Sequence, residues 1–177
     1  LKLTKSNQIH NLVGPSTIDV AWDRHINDSL QLSEFISKKK SSIIDLGTGA
    51  GLPGVILYIF GHSNILLIDS KMKKINLIKE FAHEQNLEVK TIFTMVEKIK
   101  NQKFDFIICR AFATLAKLLD YSRFFTKKNT SLLFLKGRSV KKEIHDAKKS
   151  FSFEYDLYPS QSEGDGHVLK IIKYNKL

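Results

Sequence analysis

Apolar residues follow two different spacings along most of the chain. From Ser41 onward, short continuous apolar runs alternate with segments in which apolar residues recur every three or four positions. The first spacing is typical of buried strands and the second of amphipathic helices. The predicted strands are 43–46, 65–68, 89–93, 104–109, 132–135, 153–158 and 167–173, and the predicted helices are 53–60, 72–84, 115–125 and 140–150. This alternation predicts a doubly wound α/β fold with a mostly parallel sheet.

The two ends of the chain depart from this alternation. Residues 3–12 and 17–37 have helical spacing and are separated by Gly14-Pro15, which predicts N-terminal helices with Trp22 in the core. The last two strands are joined by the turn-rich Gly164-Asp165-Gly166, which predicts a C-terminal antiparallel hairpin. We expect one domain, in which residues 1–40 form a helical extension and residues 41–177 form the core.

Composition narrows the class of protein. Apolar residues make up 42% of the chain, as in ordinary globular proteins. Cys109 is the only cysteine, which excludes an intramolecular disulfide, and its apolar neighbours predict a buried side chain. No apolar run reaches the about 18–20 residues of a membrane span, and the first residues do not resemble a signal peptide. We expect a soluble, cytoplasmic monomer, with further residues preceding Leu1.

The net charge of +10 and the pI near 9.6 suit a polyanionic partner such as a nucleic acid. Lysine greatly outnumbers arginine, as drift in an AT-rich genome would also produce. A nucleic-acid ligand needs a clustered basic patch, which sequence alone does not reveal. Charge therefore leaves both interpretations open.

The most informative motif runs from Asp45 to Gly54, as Asp-Leu-Gly-Thr-Gly-Ala-Gly-Leu-Pro-Gly. It connects the first predicted strand to the first crossover helix, where open α/β sheets bind ligands. Leu52 stands where a dinucleotide fingerprint has its third glycine, and no Gly-Lys-Ser/Thr of a P-loop follows. The acid and the G-x-G-x-G spacing resemble motif I of class I methyltransferases. Asp69 ends the second strand, where an acid can accept hydrogen bonds from ribose hydroxyls; the alternative is a structural turn beside a surface acid.

Five segments in order resemble the bacterial glucose-inhibited division protein B family, the ribosomal RNA small subunit methyltransferase G family. They are Asn11-Leu12-Val13, Arg24 to Ser29, Leu46 to Gly54, Cys109 to Phe112 and Phe134 to Arg138. The resemblance implies a Rossmann-like class I methyltransferase that uses S-adenosyl-L-methionine. Its implied reaction is methylation of N7 of guanine 527 in the 530 loop of 16S rRNA, and its implied partner is 16S rRNA or a small-subunit precursor.

The same resemblance implies which residues contact the cofactor. Gly47 and Leu52 belong to the glycine loop, Val96 and Glu97 follow the third strand, and Arg110 ends the fourth. Arg110 is a positioning candidate, and Gly49 and Asp69 complete the predicted cofactor site. The family tryptophan before the first of these segments is replaced by Ser6, and Asp69 stands where many relatives have Glu.

Other residues have a functional and a structural interpretation. Lys136 and Arg138, beyond the fifth strand, are candidates for RNA phosphate contacts or a solvated loop. His25 is an RNA-binding candidate, but with Asp28 it could instead hold the helix to the domain because they share one helix face. Phe112 could stack on a base or pack in the core.

The chemistry implied by the resemblance needs few catalytic groups. Guanine N7 carries a lone pair and no proton, so attack on a sulfonium methyl needs no general base. The six histidines have no metal-ligand spacing, and we expect no metal. Two alternatives remain open at this point: a methyltransferase acting on a small molecule, and a non-catalytic RNA-binding factor with the same fold.

Overall fold

Seven strands lie in the part of the chain that the computed structural model describes, which is residues 22–99, 101–162 and 164–177. They are β1 (Ile43–Leu46), β2 (Ile65–Asp69), β3 (Lys90–Phe93), β4 (Phe106–Arg110), β5 (Ser131–Lys136), β6 (Phe151–Pro159) and β7 (His167–Lys176). They form one sheet in the order β3-β2-β1-β4-β5-β7-β6. Strands β1 to β5 pair in parallel, and β7 is antiparallel to both β5 and β6. The predicted doubly wound sheet with its C-terminal hairpin is confirmed.

Helices connect the parallel strands, as the apolar spacing predicts. Helix α1 covers residues 22–35, and α2 to α5 are Gly54–Ile59, Met72–Glu84, Leu115–Ser122 and Val140–Ala147. The predicted helix 3–12 and the first part of the predicted helix 17–37 lie outside the described residues.

Helix α1 is irregularly wound, and this overturns one prediction. It begins with a π-helical stretch, Trp22–Asn27, passes through an α-helical turn, Asp28–Leu30, and ends as a 3₁₀-helix, Gln31–Phe35. Trp22 was expected in the core, but its side chain is 73% exposed. Because π-helical and 3₁₀ turns do not keep the α-helical period, that period assigns the wrong face to this segment. The buried face instead includes His25, Ser29 and Leu32.

Both faces of the sheet are covered, which explains the apolar strands. Successive residues of a strand point to opposite faces. Ile44 belongs to the core cluster that packs α4 and α5 on the sheet, whereas Ile43 belongs to the cluster that contains residues of α1, α2 and α3. Each fully buried aliphatic side chain contributes about 1.5–3 kcal/mol to folding.

The strand order creates the position for a site. The chain leaves β1 toward β2 on one side and reaches β4 on the other, so the order reverses between β1 and β4. Ligands of open α/β sheets bind in the crevice outside the carboxyl ends of the strands at such a reversal. Leu46, Asp69, Phe93, Arg110 and Lys136 end the five parallel strands at this edge.

Candidate functional site

The loop after β1 is turned tightly by glycines. Gly47, Gly49 and Gly51 have φ values of +66°, +61° and +86°, which residues with a Cβ rarely adopt. A Cβ at Gly49 would find nothing closer than 3.6 Å, the distance to Lys74 Nζ. A Cβ at Gly49 would thus make only ordinary contacts, so this position requires glycine for its backbone conformation and not for lack of room.

Asp45 holds this loop from beneath. Its Oδ2 accepts hydrogen bonds from Thr48 Oγ1 at 2.7 Å and from the Gly54 amide at 3.0 Å, so the carboxylate connects the start of the loop to the start of α2. The side chain is fully buried, and this burial raises the pKa of Asp45 to about 7, although the two hydrogen bonds act in the opposite direction. The acid of the motif thus fixes the loop from within the core.

Asp69 lies beside the loop at the end of β2. Its Oδ2 accepts a hydrogen bond from the Gly49 amide at 3.0 Å, and its Oδ1 accepts one from the Lys71 amide at 2.8 Å. The carboxylate therefore joins the glycine loop to the turn before α3. Each carboxylate oxygen has a second lone pair, so these bonds leave acceptor capacity for a ligand hydroxyl.

The remaining predicted cofactor residues lie at the same edge with different exposure. Leu52 is half-buried in the loop, and Val96 is buried in the core cluster, so Val96 presents only its backbone to this edge. Glu97 is exposed. Hydrogen bonds from its own backbone and from the Tyr121 side chain lower the pKa of Glu97, which keeps the carboxylate ionised.

Arg110, at the end of β4, contacts helix α1. Its Nη2 donates to the carbonyl oxygen of Arg24 at 2.9 Å and lies 2.6 Å from His25 Nδ1, and its Nη1 lies 3.6 Å from Asp28 Oδ2. Because a guanidinium only donates, His25 Nδ1 must accept and the imidazole is neutral. Burial, with the nearby Arg110 charge, lowers the pKa of His25 to about 4.

This arrangement favours the structural interpretation of His25. The imidazole is only 3% exposed and its Nδ1 is occupied by Arg110, so this conformation offers it no surface for RNA. Asp28 extends the contact further, because its Oδ1 accepts from Gln31 Nε2 at 2.8 Å and from Ser160 Oγ at 2.9 Å. Helix α1 is thereby joined both to the central strand and to the segment after β6.

Lys136 and Arg138 lie close together along the chain but in different environments. Lys136 Nζ donates to Glu143 Oε2 at 2.8 Å and to the Ala113 carbonyl at 3.0 Å, and its side chain is 8% exposed. Glu143 Oε2 also accepts from the Leu115 amide at 3.0 Å. Lys136 therefore braces α4 and α5, a structural role that its sequence position does not indicate; its contact with an RNA phosphate stays a prediction. Arg138 is exposed and keeps that prediction.

A cleft of about 550 Å³ lies at the carboxyl ends of β4 and β5. Helix α1, the ends of β4 and β5 and the turn between β6 and β7 enclose it, and Arg24, Arg110, Arg138 and Asp165 are among its lining residues. Its volume is within the about 300–1,000 Å³ of typical ligand sites. Cys109 lies beneath this edge; it is buried, and burial raises the pKa of its thiol, so it is no nucleophile here.

The sequence does not predict the contacts that several residues of this region make. Glu143 has no motif that distinguishes it from the other charged residues of α5. Gln31 and Ser160 are 129 positions apart, yet their side chains lie 2.8 Å from each other. Asp45 did carry a signal, because it stands directly before the glycines, but its structural role depends on burial that spacing does not show.

The fold and the glycine loop define a class I, Rossmann-like methyltransferase. Solved structures share this fold. A SAM-dependent methyltransferase from Aquifex aeolicus matches with a TM-score of 0.68 at 17% identity, covering 94% of this chain and 97% of that one. The ribosomal protein L11 methylase of Lactobacillus delbrueckii subsp. bulgaricus matches with a TM-score of 0.67 at 18% identity, covering 82% and 76%.

Sequence comparison identifies the family. The family model described as rRNA small subunit methyltransferase G matches residues 2–167. The ribosomal RNA small subunit methyltransferase G of Rickettsia prowazekii is 35% identical, over 99% of this chain and 91% of that protein. The protein of the same name from Gluconobacter oxydans is 34% identical, over 99% and 90%. The chain belongs to the rRNA small subunit methyltransferase G family, so the resemblance inferred from the five segments is confirmed.

Within the described residues there is neither a metal-binding cluster nor a membrane-spanning helix. No three His, Cys, Asp or Glu side chains in residues 22–99, 101–162 and 164–177 lie together as a metal site. No helix in this part of the chain is both long and apolar enough to cross a bilayer. The absence of a metal and the cytoplasmic location remain predictions.

Proposed function

We propose that this chain transfers a methyl group from S-adenosyl-L-methionine to N7 of guanine 527 in 16S rRNA. The observation that carries the proposal is the glycine loop at the carboxyl end of β1, whose left-handed Gly49 donates its amide to the Asp69 carboxylate. Membership of the rRNA small subunit methyltransferase G family supports the substrate, and the net charge of +10 suits an RNA partner.

The residues present fit this cofactor. Gly49 has no side chain to keep a ligand from its backbone, and Asp69 retains acceptor capacity for a ribose hydroxyl. Gly47 and Leu52 are the other loop residues that we propose to contact the cofactor. The backbone of Val96 and the carboxylate of Glu97 lie at the neighbouring strand end. The cofactor supplies an electrophilic methyl group on a sulfonium sulfur.

The transfer needs alignment rather than acid–base groups. When bound, the cofactor would supply its methyl group directly to the N7 lone pair, and sulfur would keep the electron pair of the S–CH₃ bond. The base becomes a cationic N7-methylguanine, and no proton moves. Holding the two reactants in line can supply about 7–11 kcal/mol of the barrier reduction. Arg110 contributes as a positioning residue, because it fixes α1 against the end of β4.

Mapping N7-methylguanine in 16S rRNA from cells with and without this protein tests the proposal. We expect the modification at guanine 527 to disappear with the gene and to return when the chain is supplied. An unchanged map contradicts the substrate. Binding that is insensitive to salt contradicts the RNA partner, because phosphate contacts weaken steeply as salt rises.

A further inference from the structure

We propose that the edge of the sheet opposite the glycine loop binds the phosphate backbone of a second rRNA segment, away from the target loop. This inference rests on the proposed function and adds an interaction surface to it. The surface consists of exposed lysines, which together are called the lysine face: Lys38, Lys39, Lys40, Lys103, Lys127 and Lys128.

The lysine face lies at the amino ends of three parallel strands. Lysines precede β1, β4 and β5, which are neighbours in the sheet, so the segments before these strands meet at one edge. Asp105 joins these segments, because its Oδ2 accepts from Ser42 Oγ at 2.7 Å and its Oδ1 lies 2.6 Å from Lys127 Nζ. Ser42 is two positions after Lys40, and Asp105 is two positions after Lys103. The lysines therefore form one continuous surface.

Much of the positive charge on this face is not neutralised. Asp105 forms an ion pair with Lys127. Within the part of the chain that the structure describes, the ammonium groups of Lys38, Lys40 and Lys128 form no ion pair. Lysines clustered on one face are the electrostatic footprint of a nucleic-acid site, because each can replace a counterion on a phosphate. The clustering that the sequence alone does not reveal is thus present at this edge.

Two lysines of the face are held by the ends of helices. Lys39 Nζ donates to the Phe60 carbonyl at 2.8 Å, directly after α2, and lies 4.2 Å from the centroid of the Phe60 ring. Lys103 Nζ donates to the Phe124 carbonyl at 3.1 Å, after α4. Such contacts also stabilise helix ends. An ammonium has three donors, however, so it can contact the fold and a phosphate together, and holding it beforehand lowers the entropic cost of binding.

RNA is the polyanion that this face fits best. Phe60 and Phe124 are 53% and 38% exposed beside the lysines, and surfaces that bind single-stranded nucleic acids combine basic side chains with aromatic rings on which bases stack. The five residues of β4 separate the two edges by about 15–17 Å along the strand. A target nucleotide at the carboxyl edge therefore does not reach the lysine face, and a different RNA segment must occupy it.

Removing two unpaired cations tests the contact. The variant is Lys40→Gln/Lys128→Gln, and its substrate is unmethylated small-subunit particles from cells that lack this protein. We expect the affinity for these particles to fall roughly tenfold or more at physiological salt, and the salt slope to fall by about two units, because two phosphate contacts are lost. Affinity for S-adenosyl-L-methionine and the rate at saturating particle should not change, since both lysines lie at the opposite edge from the glycine loop.

The matched control removes the same charge elsewhere. Lys73 and Lys79 are exposed on α3, and Lys73→Gln/Lys79→Gln reduces the net charge of +10 by as much as the test variant does. We expect this control to bind the particles about as tightly as the wild-type chain. A difference between the two variants then reports the position of the charge rather than its total.

Crosslinking identifies the RNA at each edge. Cys109 is the only cysteine and is buried, so a cysteine introduced on the surface provides the reactive thiol for a photocrosslinker. Asn129→Cys places the thiol beside Lys128, and Ser139→Cys places it beside Arg138 at the carboxyl edge. We expect Ser139→Cys to crosslink in or next to the target loop of the particle, and Asn129→Cys to crosslink to rRNA outside that loop.

The outcomes separate this inference from the proposed function. Equal losses of affinity in the two double variants overturn the lysine face, because net charge alone would explain them. Asn129→Cys crosslinks confined to the target loop, or none at all, also overturn it. If Lys40→Gln/Lys128→Gln loses binding to vesicles of anionic phospholipid but not to the particles, the face belongs to a membrane contact instead. A wild-type chain that neither binds nor methylates the particles contradicts the proposed function itself.

Discussion

Arg110 and His25 form the contact that joins the helical extension to the centre of the sheet. Arg110 Nη2 lies 2.6 Å from His25 Nδ1, although the two residues are 85 positions apart. The imidazole is neutral because it accepts this hydrogen bond. The end of β4 therefore positions α1, which forms one wall of the cleft. It also positions the segment that leads to Phe112.

Removing the guanidinium should loosen α1. Arg110→Ala deletes the hydrogen bonds to His25 and to the Arg24 carbonyl, and losing these contacts of a charged donor should cost about 1–3 kcal/mol. Hydrogen exchange should quicken across residues 22–35, and denaturant titration should show the loss. Arg110→Lys should recover only part, because an ammonium lacks the planar fork.

The control for this prediction is Arg123→Ala. Arg123 pairs with Asp120 in an exposed contact, and such pairs contribute about 0–1 kcal/mol. Unchanged exchange in α1 of the Arg110→Ala variant would show that the extension is held by its apolar face alone.

Two glycines with nearly the same φ should respond differently to alanine. Gly47 and Gly49 both lie in the left-handed region, at +66° and +61°, so the backbone strain is similar. Only Gly47 has the Phe112 ring where its Cβ would lie. We expect Gly47→Ala to lower the free energy of unfolding by at least about 1 kcal/mol more than Gly49→Ala.

The excess at Gly47 should vanish in a Phe112→Ala background, where the Cβ has room. Thermal unfolding of the four variants completes this cycle. An excess that persists without the ring would place its cause in the loop backbone. Gly49→Val is expected to abolish cofactor binding in calorimetry while the chain stays folded, because a branched side chain would keep a ligand from the backbone beside Asp69.

Arg138 and Lys136 should separate RNA binding from stability. Arg138→Ala should weaken RNA binding and reduce the salt slope by about one unit with little change in stability, because one phosphate contact is lost. Lys136→Ala should instead lower stability by about 1–3 kcal/mol, since the partly exposed Glu143 carboxylate loses its ion-pair partner but keeps the Leu115 amide. Filter binding at several salt concentrations and denaturant titration check the two variants, and the reverse result would make Lys136 the phosphate contact.

Sequence patterns predicted the sheet well because its signal is local. Both faces of the inner strands β1 and β4 are buried, and the predicted bounds of β1 and α3 agree with the structure, whereas other boundaries differ by a few residues. The glycine loop was found for the same reason, since its turn requires glycine at fixed spacing. The residue types of this loop also indicated where the cofactor would bind.

The acceptor side depends on contacts between distant residues. Nothing near Lys136 shows that Glu143 will bury it, and nothing near His25 shows that Arg110 will occupy its Nδ1. Trp22 was misplaced because the winding of α1 departs from the regular α-helix. Charge identity could be read from the sequence, but whether a charge is paired or free could not.

Two buried groups should make stability depend on pH with opposite signs. The pKa of His25 is lowered to about 4, so between pH 6.5 and 4 the unfolded chain binds a proton that the folded chain does not, and stability falls as pH falls. The pKa of Asp45 is raised from 3.8 to about 7, so across that interval the folded chain holds the extra proton and stability falls as pH rises.

Substituting one of these two groups should leave the pH dependence of stability that the other group causes. Relative to wild type, His25→Gln should become more stable as pH falls from 6.5 to 4, and Asp45→Asn should become more stable as pH rises from 4 to 7. Denaturant titrations at intervals of one pH unit give the differences, and the sign of each difference slope is the result. Difference slopes of equal sign would contradict at least one of these pKa shifts.

The rate of methyl transfer should not depend on pH near neutrality, although the stability of the fold does. Attack by N7 moves no proton, and His25, with its pKa lowered to about 4, stays neutral from roughly pH 6 to 8.5. Asp45 does titrate near pH 7, but it is enclosed beneath the loop, so its ionisation should change the affinity for the cationic cofactor rather than the rate at saturation. Single-turnover rates at saturating cofactor and RNA should therefore vary less than about twofold across this window. Arg110→Ala should lower the rate and keep the profile flat, because it acts through position. A bell-shaped wild-type profile that loses one limb in His25→Gln would establish His25 as a catalytic base and overturn the structural role derived from its contact with Arg110.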